Sequence, residues 1–202
     1  MPEDPLMIFH KTSIRALCDV FDDSLLVLFK IAYERSGLDA SKVAALIKYL
    51  DDESCLKPDR IIGDAKPGRL SKEDVRRFSM EFLRAAEEVL GPQGTVALAK
   101  ILVDKMREFF GDDRIYEIIK EAFSKIATFD VKVEGNVIRM VFKPNMKDAY
   151  KYMPMASGIP FPALMVAKAT ARDKDFKIRR FEHKPNAYCL LEIEIVREFY
   201  RS

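Results

Sequence analysis

The sequence predicts an α+β fold: an N-terminal helical bundle followed by an antiparallel four-stranded sheet built as hairpin, helix, hairpin. Three observations carry this. Residues 129–134 alternate apolar and charged with period two, the mark of a half-buried strand, and run through Gly135-Asn136 into a second apolar-rich strand. Residues 176–183 and 187–196 form a similar pair around Lys184-Pro185-Asn186-Ala187. Upstream of both, apolar residues recur at helical spacing between capping residues and glycines.

Taken in order, Leu6 to His10 reads as a short strand or extended arm, and Ser13 as the cap of a first helix through Val20. A second helix spans 24–36 and ends at Gly37. It is apolar at Leu25, Leu26, Val27, Leu28, Phe29, Ile31 and Ala32, more than one core-facing stripe requires. A homodimer through this helix is expected, because closed twofold pairing is the commonest way to bury such a surplus. The competing explanation is that the helix is the centre of its own bundle. Asp39 caps a third helix through Leu50. Helices 24–36 and 40–50 resemble a helix-turn-helix in spacing, but the second offers Ser41, Lys42 and Lys48 with no arginine to read base edges.

Residues 51–70 lack periodicity and contain Pro58, Gly63, Pro67 and Gly68, which reads as a linker, lid or binding loop. Ser71 with Asp74 three residues on is a helix start. The helix carries Phe78, Phe82, Ala85, Ala86 and Val89 on its apolar side, and 91–94 break it. Val96, Ala99, Leu102, Val103 and Met106 mark the next helix. After Gly111, Ile115, Ile118, Ile119, Ala122, Phe123 and Ile126 mark the last of the bundle. The organisation expected is a helical extension and loop over 1–70 and an α+β ligand-binding domain over 71–202.

The hairpin registers follow from matching apolar faces. Val133 faces Ile138, Val131 faces Met140 and Phe129 faces Phe142, and a slip of one residue destroys the match. In the second hairpin Phe176 faces Ile195, Ile178 faces Ile193 and Arg180 faces Leu191, while Lys177–Glu194 and Arg179–Glu192 pair opposite charges. This register puts His183 opposite Tyr188 and leaves Phe181 and Leu190 as an apolar spot on the charged face. Between the hairpins, 163–171 reads as a helix begun near a proline, and 153–160 as an apolar loop.

The chain has 202 residues, 49% of them apolar, and a formal charge of +2, so a dedicated nucleic-acid protein is disfavoured. Cys18, Cys55 and Cys189 are too scattered for a disulfide framework or a cysteine zinc site, and no cofactor or structural metal is expected. No apolar run approaches a membrane span and the N-terminus is not a signal peptide, which predicts a cytoplasmic protein. Abundant Glu, Lys, Arg and Ile with no Trp fit a thermophilic source. No catalytic triad or metalloprotease motif is present, and no acid or base stands out.

What the residues offer is a pocket. The loop 150–161 supplies apolar lining. Lys143, Asn145, Lys147, Tyr150, Tyr152 and Ser157 supply polar anchors, with Phe161 beside them. The layout over 71–196 resembles the small-molecule-binding domain named after bacteriochlorophyll 4-vinyl reductase. That resemblance implies a sensory or ligand-binding module. The family's metal-site cysteines are replaced here by Lys143-Pro144-Asn145 and by Phe161 between Pro160 and Pro162, with Cys189 alone retained, so the fold carries over without the metal site. The expected function is a small-molecule-binding or sensory domain without catalysis, its ligand small and apolar or of mixed polarity. An enzyme or enzyme subunit acting on a bulky apolar or tetrapyrrole-like substrate is the alternative, and a helix-turn-helix regulator a further one.

Overall fold

The computed structural model describes residues 5–20, 25–50, 61–124, 126–145, 155–156, 158–184 and 187–196. Among these residues the elements follow in the order α1 (Pro5–Val20), α2 (Leu25–Ser36), α3 (Ala40–Leu50), α4 (Lys72–Phe110), α5 (Asp112–Phe123), β1 (Ala127–Glu134), β2 (Val137–Pro144), β3 (Met155–Ala156), β4 (Ile159–Pro160), α6 (Phe161–Ala171), β5 (Asp175–Lys184) and β6 (Tyr188–Val196). The expected α+β architecture is present: a helical N-terminal part, then a four-stranded antiparallel sheet arranged as hairpin, helix, hairpin. The chain divides into two compact units, Met1–Val89 and Leu90–Ser202. Among the described residues, no helix is long and apolar enough to cross a membrane.

In the first unit the opening segment is helical, not a strand or arm. Pro5 stands at the first helical position, where its missing N–H costs nothing. The buried residues Phe9, Ile14, Ala16 and Leu17 keep one face inward. Ser13, expected as a cap, therefore lies inside α1 and is buried. In α2, Leu28, Phe29 and Ala32 are buried within the unit, while Val27 is 59% exposed. Phe29 meets Phe78 of α4 with ring centroids 4.7 Å apart, and Phe78 stacks on Phe82 at 5.9 Å. The side chain of Leu25 and residue 24 lie outside what is described. Much of the apolar surplus of α2 is thus spent inside the bundle.

Asp39 caps α3 as expected, its carboxylate accepting from the Lys42 N–H at 2.9 Å. The Ser71 hydroxyl accepts the Asp74 N–H at 3.1 Å, and the Asp74 carboxylate accepts the Ser71 N–H at 3.0 Å, a reciprocal cap with aspartate in the usual glutamate place. Lys42 donates to the same carboxylate at 3.0 Å and so ties α3 to α4. Of the residues proposed to read DNA, Lys42 is held by Asp74, Ser41 bonds Asp39, and Lys48 alone is exposed. Five residues of α3 face inward. Its remaining face offers Lys48 as the exposed cation and no arginine to read base edges. The loop after 60 is fastened rather than free, since the Gly68 N–H donates to the Ser41 carbonyl at 2.8 Å. A β-carbon at Gly68 would lie 2.6 Å from the Ser41 hydroxyl, so this approach needs glycine.

Helix α4 is interrupted at Gly91 (φ 66°, ψ −178°) and resumes at once with Pro92 in its new first turn. The expected four-residue break is a single residue, and Val89, expected inside, is exposed.

In the second unit α6 is the core, with every residue from Phe161 to Ala169 buried. It packs on β2, β5, β6 and α5. Its one charge, Lys168, donates to the Lys174 carbonyl at 2.9 Å and pairs with Asp104 of α4 at 3.2 Å. Lys100, one turn earlier on α4, donates to the Phe176 carbonyl at 2.9 Å and pairs with Asp175 at 2.6 Å. Burial pushes the Asp175 carboxyl up, but the Lys100 ammonium and the Phe176 N–H outweigh it, and the net shift is downward.

The sheet order is β1-β2-β6-β5. The first hairpin has the expected register in all six apolar partners, and the second has it at Phe176–Ile195 and Ile178–Ile193. Beyond Ile178 the expected register fails. A bulge at Arg179 shifts the pairing by one, so Arg180 faces Glu192, Phe181 faces Leu191 and His183 faces Cys189. The extra residue also exchanges the faces. Phe181 and His183 therefore stand on the inner, α6-facing side, and the expected apolar spot on the charged face does not form.

Ser71 is the largest influence on the Asp74 carboxyl, and with Lys42 it holds that group at about 2 despite burial. Because the folded pKa is depressed, this stabilisation is present above the unfolded value of about 4 and is lost as the pH falls towards 2. Asp74→Asn is expected to cost about 2 kcal/mol in urea unfolding at neutral pH. Its difference from the wild type should close in acid, and a pH-independent difference would contradict the linkage.

Candidate functional site

The site is built on one row of the sheet. Register places Phe129, Phe142, Cys189 and His183 side by side across β1, β2, β6 and β5. Phe129 and Phe142 meet edge to face at 5.2 Å. In the next row Phe181 stands beside Leu191, and its ring lies 6.3 Å from that of His183. The short β3–β4 hairpin reaches this end of the sheet. Gly158, at φ 83°, lies over the Phe181 ring, where an added β-carbon would sit at ordinary contact distance, 3.6 Å. Ile159, Pro160 and Phe161 follow, all buried, and lead into α6.

The row is apolar with two heteroatom-bearing side chains. Cys189 is buried, and desolvation pushes its thiol up to about 12. The thiol is therefore protonated at neutral pH and behaves as a small apolar group. A thiol next to an imidazole is the arrangement of a cysteine nucleophile, but a nucleophile needs the thiolate. The expected pairing of His183 with Tyr188 is corrected, since the Arg179 bulge sets His183 opposite Cys189 on the same face.

The outer face of the same hairpin is charged. The Tyr188 hydroxyl donates to Glu182 at 2.8 Å, and Arg180 donates to the same carboxylate at 3.0 Å. The tyrosine is the largest cause that lowers the Glu182 carboxyl from its ordinary value, with Arg180 and Lys184 adding to it.

Of the residues predicted for the pocket, Phe161 is buried at the start of α6 and Lys143 is exposed next to Phe142. Asn145 is exposed and acts as a brace, its side-chain amide donating to the Ser124 carbonyl at 2.7 Å and its backbone N–H to Ile126 at 2.8 Å. Lys147, Tyr150, Tyr152 and Ser157 lie outside the described residues. Sequence reasoning missed Phe181, His183 and Gly158. The Gly158 signal was present, a glycine in an apolar loop. No local pattern announces the bulge that turns the other two inward.

A second concavity, an open recess of about 640 Å³, lies at the opposite end of the sheet, where Lys174 and Lys177 adjoin Gly135, Asn136, Glu194, Ile195 and Val196. Its carboxylate is already engaged, because the Asn136 amide donates to Glu194 at 3.1 Å and Arg179 lies 3.8 Å away. Among the described residues no group of three or more His, Cys, Asp or Glu converges as for a metal ion.

No protein-family model matches the chain, and no curated protein matches it. Solved structures do. One is an oxygen-binding H-NOX domain related to soluble guanylate cyclases, at 13% identity and TM-score 0.42 over 95% of each chain. Another comes from a study of heme distortion in the H-NOX family, at 13% identity and TM-score 0.44 over 96% of this chain and 98% of that one. A T. Tengcongensis H-NOX domain matches at 12% identity and TM-score 0.34 over 89% and 100%. The resemblance to the 4-vinyl reductase domain is corrected: no family model matches the chain, and the solved structures found are H-NOX domains. Hairpin, helix, hairpin is an order of elements, and without the family's cysteines it carries no family identity. Likeness of this degree does not carry ligand or activity to this chain.

The Cys189 thiol is expected to resist alkylation in the native protein at mildly alkaline pH and to react once the chain is unfolded. Mass mapping of the alkylated Cys189 peptide checks this, and rapid native labelling would show that the row is open and the thiol ionised.

Proposed function

We propose that the 71–202 region is a small-molecule-binding module of sensor type, without chemistry of its own. The observation that carries this reading is the Phe129–Phe142–Cys189–His183 row: an apolar floor with one imidazole, under a glycine hairpin at one end of the sheet. Ligand sites combine mostly apolar lining with a few polar groups that set orientation. The ligand class that suits this floor is small and flat, apolar over most of its surface, with one group able to meet an imidazole. Phe161 contributes to the lining, and the sequence offers Lys143, Asn145, Tyr150, Tyr152 and Ser157 as candidate polar anchors.

The electrostatics support binding over catalysis. A general acid at neutral pH needs a carboxyl raised towards that range. Asp175 and Glu182, in the second unit, are instead lowered by their donors. The thiol is shifted the other way, out of the nucleophilic range.

The test is a titration of the purified chain with an apolar fluorescent probe and, separately, with heme. Saturable binding of at least one is expected. Phe181→Ala and His183→Ala should each weaken it by roughly tenfold, the scale of one lost apolar or orienting contact. Lys177→Ala, on the outer face, should leave it unchanged. Absence of saturable binding to either probe, or binding indifferent to both inner-face variants, would remove the reading.

A further inference from the structure

The two edges of the sheet are not alike. The β5 edge carries the Arg179 bulge, and its charges are spent on Glu194 and Glu182. A bulge twists an edge away from pairing. The β1 edge has none. It pairs with β2 over eight consecutive residues without a shift, and it contains no proline or glycine. Among the described residues no other strand pairs with it.

Three features of β1 point outward. Helix α6 covers the inner face over β2, β6 and β5, and α5 contacts β1, yet Val133 is left 57% exposed, with Phe129 and Val131 only half-buried. Asp130 and Lys132 are exposed on the other face, and neither has an ion pair among the described residues. Lys132 even faces a like charge, Arg139, whose own carboxylate is Glu192. Like charges directly opposite each other cost stability unless something else recovers it.

We infer that the β1 edge is a docking surface for a second copy of this chain, pairing β1 antiparallel with β1 about a twofold axis through Val131. This register puts Asp130 of each copy opposite Lys132 of the other and joins Phe129 to Val133 on the inner face. Moving the axis to Asp130 or to Lys132 sets Asp130 against itself or against Glu134. The backbone agrees with the first choice. Glu134 and Val137 flank a two-residue turn and form the pair that exchanges both backbone bonds, so by alternation Phe129, Val131 and Val133 turn their N–H and C=O groups to the free edge. Val131 opposite Val131 is then a hydrogen-bonded pair. Asp130 opposite Lys132 falls in the closer, non-bonded class, where side chains meet best. A C2 interface requires this self-complementarity.

The test is the mass of the full chain over a concentration series by sedimentation. The wild type is expected to dimerise. Lys132→Glu and Asp130→Lys should each raise the dissociation constant by roughly tenfold or more, since two attractive cross-strand pairs become repulsive. Mixing these two variants should restore the dimer. The lysine introduced in one variant then meets the glutamate introduced in the other, and the remaining wild-type charges, Lys132 of the first and Asp130 of the second, also pair. A wild type that stays at the 23.2 kDa monomer mass throughout would overturn the inference. So would a variant that dimerises as the wild type does, or a mixture that stays monomeric. A dimer lost instead in Val27→Asp, with both β1 variants still dimeric, would place the contact on α2 and equally overturn it.

Discussion

The second unit depends on how one ammonium group is held. Helix α6 is buried along nearly its whole length, and Lys168 is the charge it takes inside with it. An unpaired ammonium at such a position costs several kcal/mol, and removing its acid alone would leave that cost exposed. Asp104 and the Lys174 carbonyl together meet it. The same two contacts set α6 against α4 and fix the turn into β5. Lys100 and Asp175 repeat the arrangement one helical turn away, so the start of β5 is anchored from two sides.

Phe176 and Ile178 keep the apolar match beside the anchor, and the register shifts just beyond them, at Arg179. The bulge reverses the alternation for the rest of β5. Phe181 and His183 go inward, and Arg180, Glu182 and Lys184 gather outward around Tyr188. One inserted residue thus makes an apolar floor with an imidazole on one side and an ionic cluster on the other. It also protects the β5 edge and leaves β1 as the edge open to pairing.

The first unit is held by a different device. Asp74 closes its own helix cap and receives Lys42, so one carboxylate joins α3 and α4. The two lysines and the serine that gave the second helix a faint DNA-binding look are accounted for mostly by this packing. In α2 the apolar excess resolves into Phe29 against Phe78 and Phe82, with Val27 left outside. A helix apolar over most of its surface can be central to a small bundle when large aromatic rings surround it.

The sequence by itself determined the parts governed by local rules. Alternation with matching apolar faces set the first hairpin to the residue, because a one-residue slip would expose every apolar side chain on it. Capping chemistry located Asp39 and Ser71, since their side chains act on N–H groups within three positions. The opening helix was legible only in hindsight: its buried positions keep helical spacing, but Pro5 reads equally well as a break. Tertiary structure alone decided the rest. The bulge at Arg179 is seen only in the pairing of β5 with β6, and no pattern within β5 encodes it. The meeting of His183 with Cys189 and the inward turn of Phe181 follow from that shift, which is why alternation along the strand did not place the imidazole on this face. The charges of Asp130 and Lys132 were visible from the start. That they lie on an unpaired edge depends on the strand order, which is set by long-range pairing of β2 with β6.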